Sequence, residues 1–213
     1  MFSRIAPRYD VLNHLLSFNS DRRWRARTVR ALNGFRGRVL DLATGTGDLA
    51  IALAEAGKAV VGADFCLDML AGARRKGKSL PLAAADALAL PFPDGAFDAV
   101  TIAFGVRNFA DLDRGLGEMR RVLRADGVLL VLEFSQPGGL AGAAYRAYSD
   151  RVLPWIGGLL SGNAAAYRYL NRSAREWPSK EGFAAVLRRA GFSDVRGVPM
   201  TFGVVALHRG TKR

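Results

Sequence analysis

The segment Val39-Leu-Asp-Leu-Ala-Thr-Gly-Thr-Gly-Asp48 constrains the fold of this chain more than any other. A short apolar run stops at a glycine-rich turn, and Leu49–Ala56 then reads as a helix that ends at Gly57. Strand, glycine turn and helix in that order begin a βαβ unit. Gly45-Thr-Gly-Asp-Leu-Ala50 fits G-x-G-x-x-A, a pattern in which glycines let the backbone come close to a bound nucleotide or nucleoside.

The alternation continues downstream. Arg38–Leu42, Ala59–Ala63 (closed by Asp64), Leu82–Ala85 (ending at Asp86), Phe97–Phe104 and Val128–Phe134 read as strands. Leu67–Lys76 reads as a helix. A further helix starts at Asp111 as N-cap, carries Leu112, Leu116, Met119 and Leu123 on one face, and is expected to end at Asp126-Gly127. Val128–Phe134 is apolar almost throughout, as a strand covered on both faces should be. Residues 2–36 read as helical with turns. Residues 135–178 break the alternation and hold four of the five Tyr, with Trp155 and Trp177. Ser179–Ala190 reads as a helix stopped by Gly191, and Val195–Arg209 as two strands around Pro199 and Gly203, a hairpin at a sheet edge. The expectation is a single α/β domain over 1–213, with a mostly parallel sheet covered on both faces.

Ligands of such sheets bind beyond the carboxyl ends of the strands. Asp41 to Asp48, Asp64, Asp86 and Ala103 to Asn108 all fall there. Two ligand classes compete. A dinucleotide and S-adenosylmethionine both need the glycines, and Asp64 can hold ribose hydroxyls in either. Asp48, however, stands at the helix start where a pyrophosphate would dock. Asp86 is placed to accept from an adenine amino group, and Asp41 to hold an ammonium, directly or through water. Carboxylates gathered around a cationic sulfonium make electrostatic sense; around a polyanion they do not. The reading is therefore an S-adenosylmethionine-dependent methyltransferase rather than a dehydrogenase.

Further motifs sharpen it. Phe2-Ser-Arg-Ile-Ala-Pro-Arg-Tyr-Asp-Val-Leu-Asn13, Arg22-Arg-Trp-Arg25, Asp86-Ala-Leu-Ala-Leu-Pro-Phe-Pro-Asp94, Thr101-Ile-Ala-Phe-Gly-Val-Arg-Asn108, Leu132-Glu-Phe-Ser135, Tyr167-Arg-Tyr-Leu170 and Val204-Val-Ala-Leu-His-Arg-Gly210 follow one another in order. With them the chain resembles, over nearly its whole length, the C-methyltransferases of menaquinone and ubiquinone biosynthesis. The resemblance implies a class I S-adenosylmethionine-dependent methyltransferase fold: Rossmann-like, with seven strands, mostly parallel, the last antiparallel. It implies methyl transfer to a ring carbon of a prenylated quinol, with demethylmenaquinol as the expected acceptor and a benzoquinol as the alternative. Cofactor contacts are expected at Asp41, Gly45, Thr46, Gly47, Asp64, Asp86, Ala87 and Ala103, the last being Ser in many relatives. Residues 1–36 are expected to form a helical lid and 135–178 a helical insertion at the acceptor site. The chain departs from the family pattern at Asn19, at Arg172 and at Trp177.

Arg107 is the candidate for activating the acceptor. Its guanidinium stays protonated and is no base. It can stabilise a quinolate or orient a water, and the competing reading is a salt bridge closing the cleft. A phenol ionises near pH 10, so bringing it to neutrality corresponds to roughly 4 kcal/mol. Asn108 is a candidate to hold a ring oxygen. Tyr9 and Asp10 are candidates in the lid, Asp10 as proton acceptor, and Tyr169 is a candidate lining residue of the acceptor site. Packing and capping are the plainer roles for these three.

The charge balance is +12, and seven Arg lie between Arg22 and Arg38. This basic stretch is either a solvated helix face or a surface that guides the chain to anionic membrane, where a lipid substrate resides. An RNA methyltransferase is the alternative that such charge suggests. It is weakened because the strand end reads Ala103-Phe-Gly-Val-Arg-Asn108, with no Asn/Asp-Pro-Pro-aromatic element and no Cys placed for attack on a base. No nucleic-acid partner is therefore expected. The single cysteine, Cys66, and the lack of a long apolar run suggest a cytoplasmic protein, peripheral to the inner membrane surface where it meets its substrate. One Cys and two His make no metal site. A homodimer is the working expectation for assembly.

Overall fold

The structure is a computed structural model that describes residues 19–76, 79–139 and 172–213, together with Ser17 and Gly142. In chain order the elements are helix α1 (Ser20–Arg30), strand β1 (Arg38–Leu42), helix α2 (Asp48–Glu55), strand β2 (Ala59–Asp64), helix α3 (Leu67–Arg75), strand β3 (Leu82–Ala84) and strand β4 (Phe97–Ala103). A short 3-10 turn (Val106–Asn108) leads to helix α4 (Leu112–Val122) and strand β5 (Leu123–Phe134). Helix α5 (Lys180–Arg189) and strands β6 (Phe192–Met200) and β7 (Val205–Lys212) complete the set.

The seven strands form one sheet in the order β3-β2-β1-β4-β5-β7-β6. The pairs from β3 through β5 are parallel, and β7 runs antiparallel to both its neighbours. The chain runs outward from β1 through β2 to β3 and then crosses to β4 on the other side of β1, so the order reverses beside β1. That reversal opens a crevice at the carboxyl ends of β1 and β4, where the glycine turn lies.

Apolar side chains cover both faces. On one, α4 and α5 bury Leu116, Met119, Phe183 and Leu187 against Leu40, Leu42, Val100 and Ile102. On the other, α1 and α2 bury Trp24, Leu49 and Leu53 against Val39, Ala99 and Leu130. Each fully buried large side chain stabilises the fold by roughly 1.5–3 kcal/mol. Residues 20–32 are thus part of the core through Trp24 and Leu32. Residues 1–16 and 18 of the expected lid, and all but the ends of the expected 135–178 insertion, lie outside the described residues. Those ends are joined: the Gln136 Nε2 amide donates to the carbonyls of Ala174, Arg175 and Trp177 at 2.9–3.0 Å.

The expected cap of α4 is present: Asp111 accepts from the Arg114 N–H at 2.9 Å. Ser179, expected as the first residue of the last helix, is its cap and accepts from the Gly182 N–H at 3.2 Å. The expected end of α4 is corrected. The helix stops at Val122, and Leu123 is already extended and paired with Phe97. Asp126, at φ 60°, and Gly127 instead form an irregularity inside the β4–β5 ladder.

The loop 85–96 is held mainly by Arg121. Arg121 donates through Nε to Glu118, through Nη1 to the Phe92 carbonyl and Asp94, and through Nη2 to the Leu90 carbonyl and Glu118, all at 2.7–2.9 Å. All five guanidinium protons are used. Glu118 also accepts from the Leu90 N–H at 2.7 Å. Lysine offers three donors from a single nitrogen and cannot reproduce this fork. Arg121→Lys is expected to cost about 2 kcal/mol. In a chain of this length that lowers the midpoint by about 4–8 °C. Thermal unfolding followed by circular dichroism checks it, and an unchanged midpoint would remove the clamp from the account.

Candidate active site

The site is assembled where β1, β2, β3 and β4 end. After Leu42 the chain turns sharply: Ala43, Gly45 and Gly47 have φ of 51°, 57° and 85°. At Gly47 this left-handed conformation caps α2. A Cβ on Gly45 would meet nothing within 4 Å, so the turn presents an open backbone surface. Gly105 has the opposite reason to lack a side chain: a Cβ there would lie 2.6 Å from that of Ala43. The ends of β1 and β4 therefore close on each other through Ala43 and Gly105.

Three of the expected carboxylates line this edge, each held differently. Asp64 takes the Gly45 N–H on Oδ2 and the Cys66 N–H on Oδ1, both at 2.8 Å. It ties the glycine turn to the end of β2 and keeps further acceptor positions for a ligand. Burial pushes its carboxyl above the usual range. Asp86 is exposed and accepts from the Leu88 N–H at 2.8 Å, an arrangement fixed by the Arg121 clamp two residues beyond. Asp41 is 1% exposed and is gripped by the hydroxyls of Thr44 at 2.6 Å and Thr101 at 2.7 Å. Desolvation raises its pKa to about 6 in spite of those two bonds.

Asp48 does not stand as expected. It is paired with Lys76 and lies 3.5 Å from Arg25, so its charge is neutralised within the fold. The electrostatic case against a phosphate at the helix start rests on Asp41, Asp64 and Asp86, not on Asp48. Thr46 is buried and accepts from Lys76 Nζ at 3.2 Å. Ala87 and Ala103 are half-buried beside this edge. Phe65 and Leu67, on either side of Cys66, are exposed apolar side chains, at 78% and 68%. Cys66 is half-buried.

Arg107 follows the end of β4 and is buried with a partner. Its Nη1 donates to Glu133 Oε1 at 2.9 Å and Oε2 at 3.0 Å, and also to the Phe104 carbonyl. Its guanidinium lies 5.1 Å from the centre of the Phe134 ring. Both readings left open by the sequence meet here: Arg107 makes the salt bridge, yet its Nε is buried with no acceptor among the described residues. Asn108 is half-buried at the end of the 3-10 turn. Tyr9, Asp10 and Tyr169 lie outside the described residues. Among the described residues no cluster of His, Cys, Asp or Glu suits a metal. His208 is buried on β7 with Nε2 against the Lys180 carbonyl at 2.9 Å, away from the site.

Sequence reasoning missed four contributors. Thr44 and Thr101 hold Asp41, Trp24 Nε1 binds Thr201 at 2.8 Å across Phe104, and Glu133 holds Arg107. Glu133 had a visible signal: one carboxylate inside the run Val-Leu-Leu-Val-Leu-Glu-Phe must find a buried cation.

Comparison with known proteins fits this arrangement. The model of the ubiE/COQ5 methyltransferase family matches residues 1–212. The chain is 58% identical to a demethylmenaquinone methyltransferase of Thermus thermophilus, with all of both chains covered. It is 48% identical to a ubiquinone/menaquinone biosynthesis C-methyltransferase of Geobacter sulfurreducens, over all of this chain and 87% of the other. In structure it resembles a SAM-dependent methyltransferase of Thermotoga maritima, with a TM-score of 0.72 at 21% identity over 100% of this chain and 98% of the other. The chain belongs to the ubiE/COQ5 methyltransferase family.

Proposed function

We propose that this chain transfers a methyl group from S-adenosylmethionine to a ring carbon of demethylmenaquinol, giving menaquinol. The observation that carries the reading is the full-length likeness to a demethylmenaquinone methyltransferase. The site supports it, because the carboxylate edge and the Arg107 end of the cleft meet at one strand boundary.

The residues present suit the cofactor. Gly45, Thr46 and Gly47 offer an open backbone turn, and Asp64 and Asp86 suit ribose hydroxyls and an adenine amino group. Asp41 suits the ammonium, and Ala87 and Ala103 can contribute backbone and apolar surface. S-adenosylmethionine supplies a methyl group that is already electrophilic. The protein's share is to hold the acceptor's ring carbon in line and keep water out. Arg107 offers an N–H to the acceptor's oxygen as that oxygen gains negative charge, and Asn108 is placed to assist. The phenolic proton would pass to water, the ring carbon would take the methyl as the sulfur–methyl bond breaks and leaves S-adenosylhomocysteine, and the ring carbon's own proton would return through water to the oxygen, restoring the aromatic quinol with one proton released in all. Tyr9, Asp10 and Tyr169 enter this proposal from the family resemblance alone.

Arg22, Arg23, Arg27, Arg30 and Arg36 are exposed along α1 and the turn after it, and we assign them to attraction toward an anionic bilayer. No helix among the described residues is long and apolar enough to cross a membrane. A benzoquinol acceptor is the second reading, favoured by the name of the Geobacter relative.

Two experiments test the proposal. Reduced demethylmenaquinone and a demethylated benzoquinol are offered with S-adenosylmethionine in phosphatidylglycerol or phosphatidylcholine vesicles, and products are weighed by mass spectrometry. One methyl added to the naphthoquinol, fastest in the anionic vesicles, is expected. No methylated quinol would overturn the reading, and equal rates in both vesicles would remove the arginine face from it.

The second uses Asp41. Its folded pKa of about 6 lies above the ordinary 3.8, so it stabilises the folded state below pH 4. That stability is lost as pH rises through 6 and amounts to about 3 kcal/mol. Asp41→Asn should therefore stabilise the ligand-free protein at pH 8 relative to wild type, and not at pH 4. It should also weaken cofactor binding. Denaturant titrations at the two pH values read the difference, and equal differences at both would contradict it.

A further inference from the structure

Glu133 is the only charged side chain on the buried part of β5, and it is 0% exposed. Its partner Arg107 has a side chain only 5% exposed. A buried ion pair is costly to desolvate and is often no more stabilising than apolar residues of the same volume. The sheet therefore gains little from having one here. The geometry of the pair is also lopsided. Both Glu133 oxygens and the Phe104 carbonyl crowd onto Nη1 of Arg107, while its Nε stays buried without an acceptor. Phe104 reaches that position with φ 56°, a conformation unusual for a large side chain. The Phe134 N–H, at 2.8 Å, fixes Glu133 Oε1 in turn. A buried donor left unpaired costs about 1–3 kcal/mol, a cost that an acceptor supplied by a ligand would remove.

We propose that Glu133 is a positioning residue for the acceptor: it anchors Arg107 by Nη1 so that the Nε edge is presented to an ionising phenolic oxygen, and it cancels the net charge of the guanidinium. The proposal rests on the quinol reading above. An uncompensated and unanchored guanidinium would favour the acceptor's anion from no fixed direction, without aligning its ring carbon for the methyl group. The neutral pair instead offers a directed N–H whose bond strengthens as charge develops on the oxygen. Burial raises the Glu133 carboxyl, and the adjacent Arg107 opposes that rise.

The test compares wild type with Glu133→Gln and Glu133→Asp by two readouts. The first is kcat and KM for the naphthoquinol. The second is the pKa of 1-naphthol bound to protein loaded with S-adenosylhomocysteine, followed by the absorbance of the naphtholate. Glu133→Gln is expected to lower kcat about 100-fold, with KM unchanged or lower. It should also depress the pKa of bound naphthol by about one unit below its wild-type value. Glu133→Asp should restore part of the turnover. Purely structural damage would lower kcat and leave the naphthol pKa where it was, and that result overturns the proposal. Should Glu133→Gln not fold, the double variant Arg107→Met/Glu133→Met keeps the volume without the charges. It should bind naphthol with a pKa above the wild-type value; an equal value overturns the proposal. A wild-type protein that shifts the naphthol pKa in the expected pattern but methylates no quinol supports Glu133 and overturns the quinol reading alone.

Discussion

The hydrogen bond from the Gly45 N–H to the Asp64 carboxylate is the contact on which the rest of the site depends. It joins the end of β2 to the glycine turn that leaves β1, and so fixes how the turn's backbone faces the crevice. The same carboxylate takes the N–H of Cys66, the residue just before α3. One side chain thus joins the glycine turn to the segment leading into α3, and still has acceptor positions to spare. A residue with no side-chain acceptor at position 64 would leave two part-buried N–H groups, those of Gly45 and Cys66, without this partner.

A second set of contacts holds the opposite wall. Trp24 lies 5.8 Å from Phe104, Phe104 lies 5.1 Å from Phe134, and Phe134 covers Arg107. Trp24 also reaches the β6–β7 turn through Thr201, and Arg25 reaches Asp48 at the start of α2. The Arg22-Arg-Trp-Arg25 motif therefore divides by helix face. Trp24 and Arg25 dock α1 onto the cleft wall, while Arg22 and Arg23 face solvent. One motif serves fold and surface charge at once.

Much of this was legible in the sequence because the signals are local. The glycine turn, the apolar strands, the cap at Asp111 and the helix start at Ser179 depend on neighbours within a few residues, and their bounds agree with expectation to within one or two positions for β1, α2, β2 and β4. What escaped depends on partners far along the chain. Asp48 meets Lys76 and Arg25, and Asp41 meets Thr101, 60 residues away. Arg107 meets Glu133, 26 residues on. The end of α4 was misplaced for the same reason. Leu123 continues the helical apolar stripe, but pairing with Phe97 and the Arg124–Asp98 ion pair draw it into the sheet. Sequence pattern identifies which carboxylates are present, and the fold decides which of them remain available to a ligand.

This strand-end edge is built for a cationic nucleoside, with Asp64 as its keystone. Isothermal titration calorimetry of wild type and Asp64→Asn with S-adenosylmethionine, and of wild type with NADH, tests it most directly. Asparagine preserves the shape but not the charge, and offers only one carbonyl oxygen. The account predicts saturable binding of S-adenosylmethionine by wild type, at least about tenfold weaker binding by the variant, which corresponds to about 1.4 kcal/mol, and no measurable heat with NADH. Tighter binding of NADH than of S-adenosylmethionine, or equal affinity in wild type and variant, would contradict it.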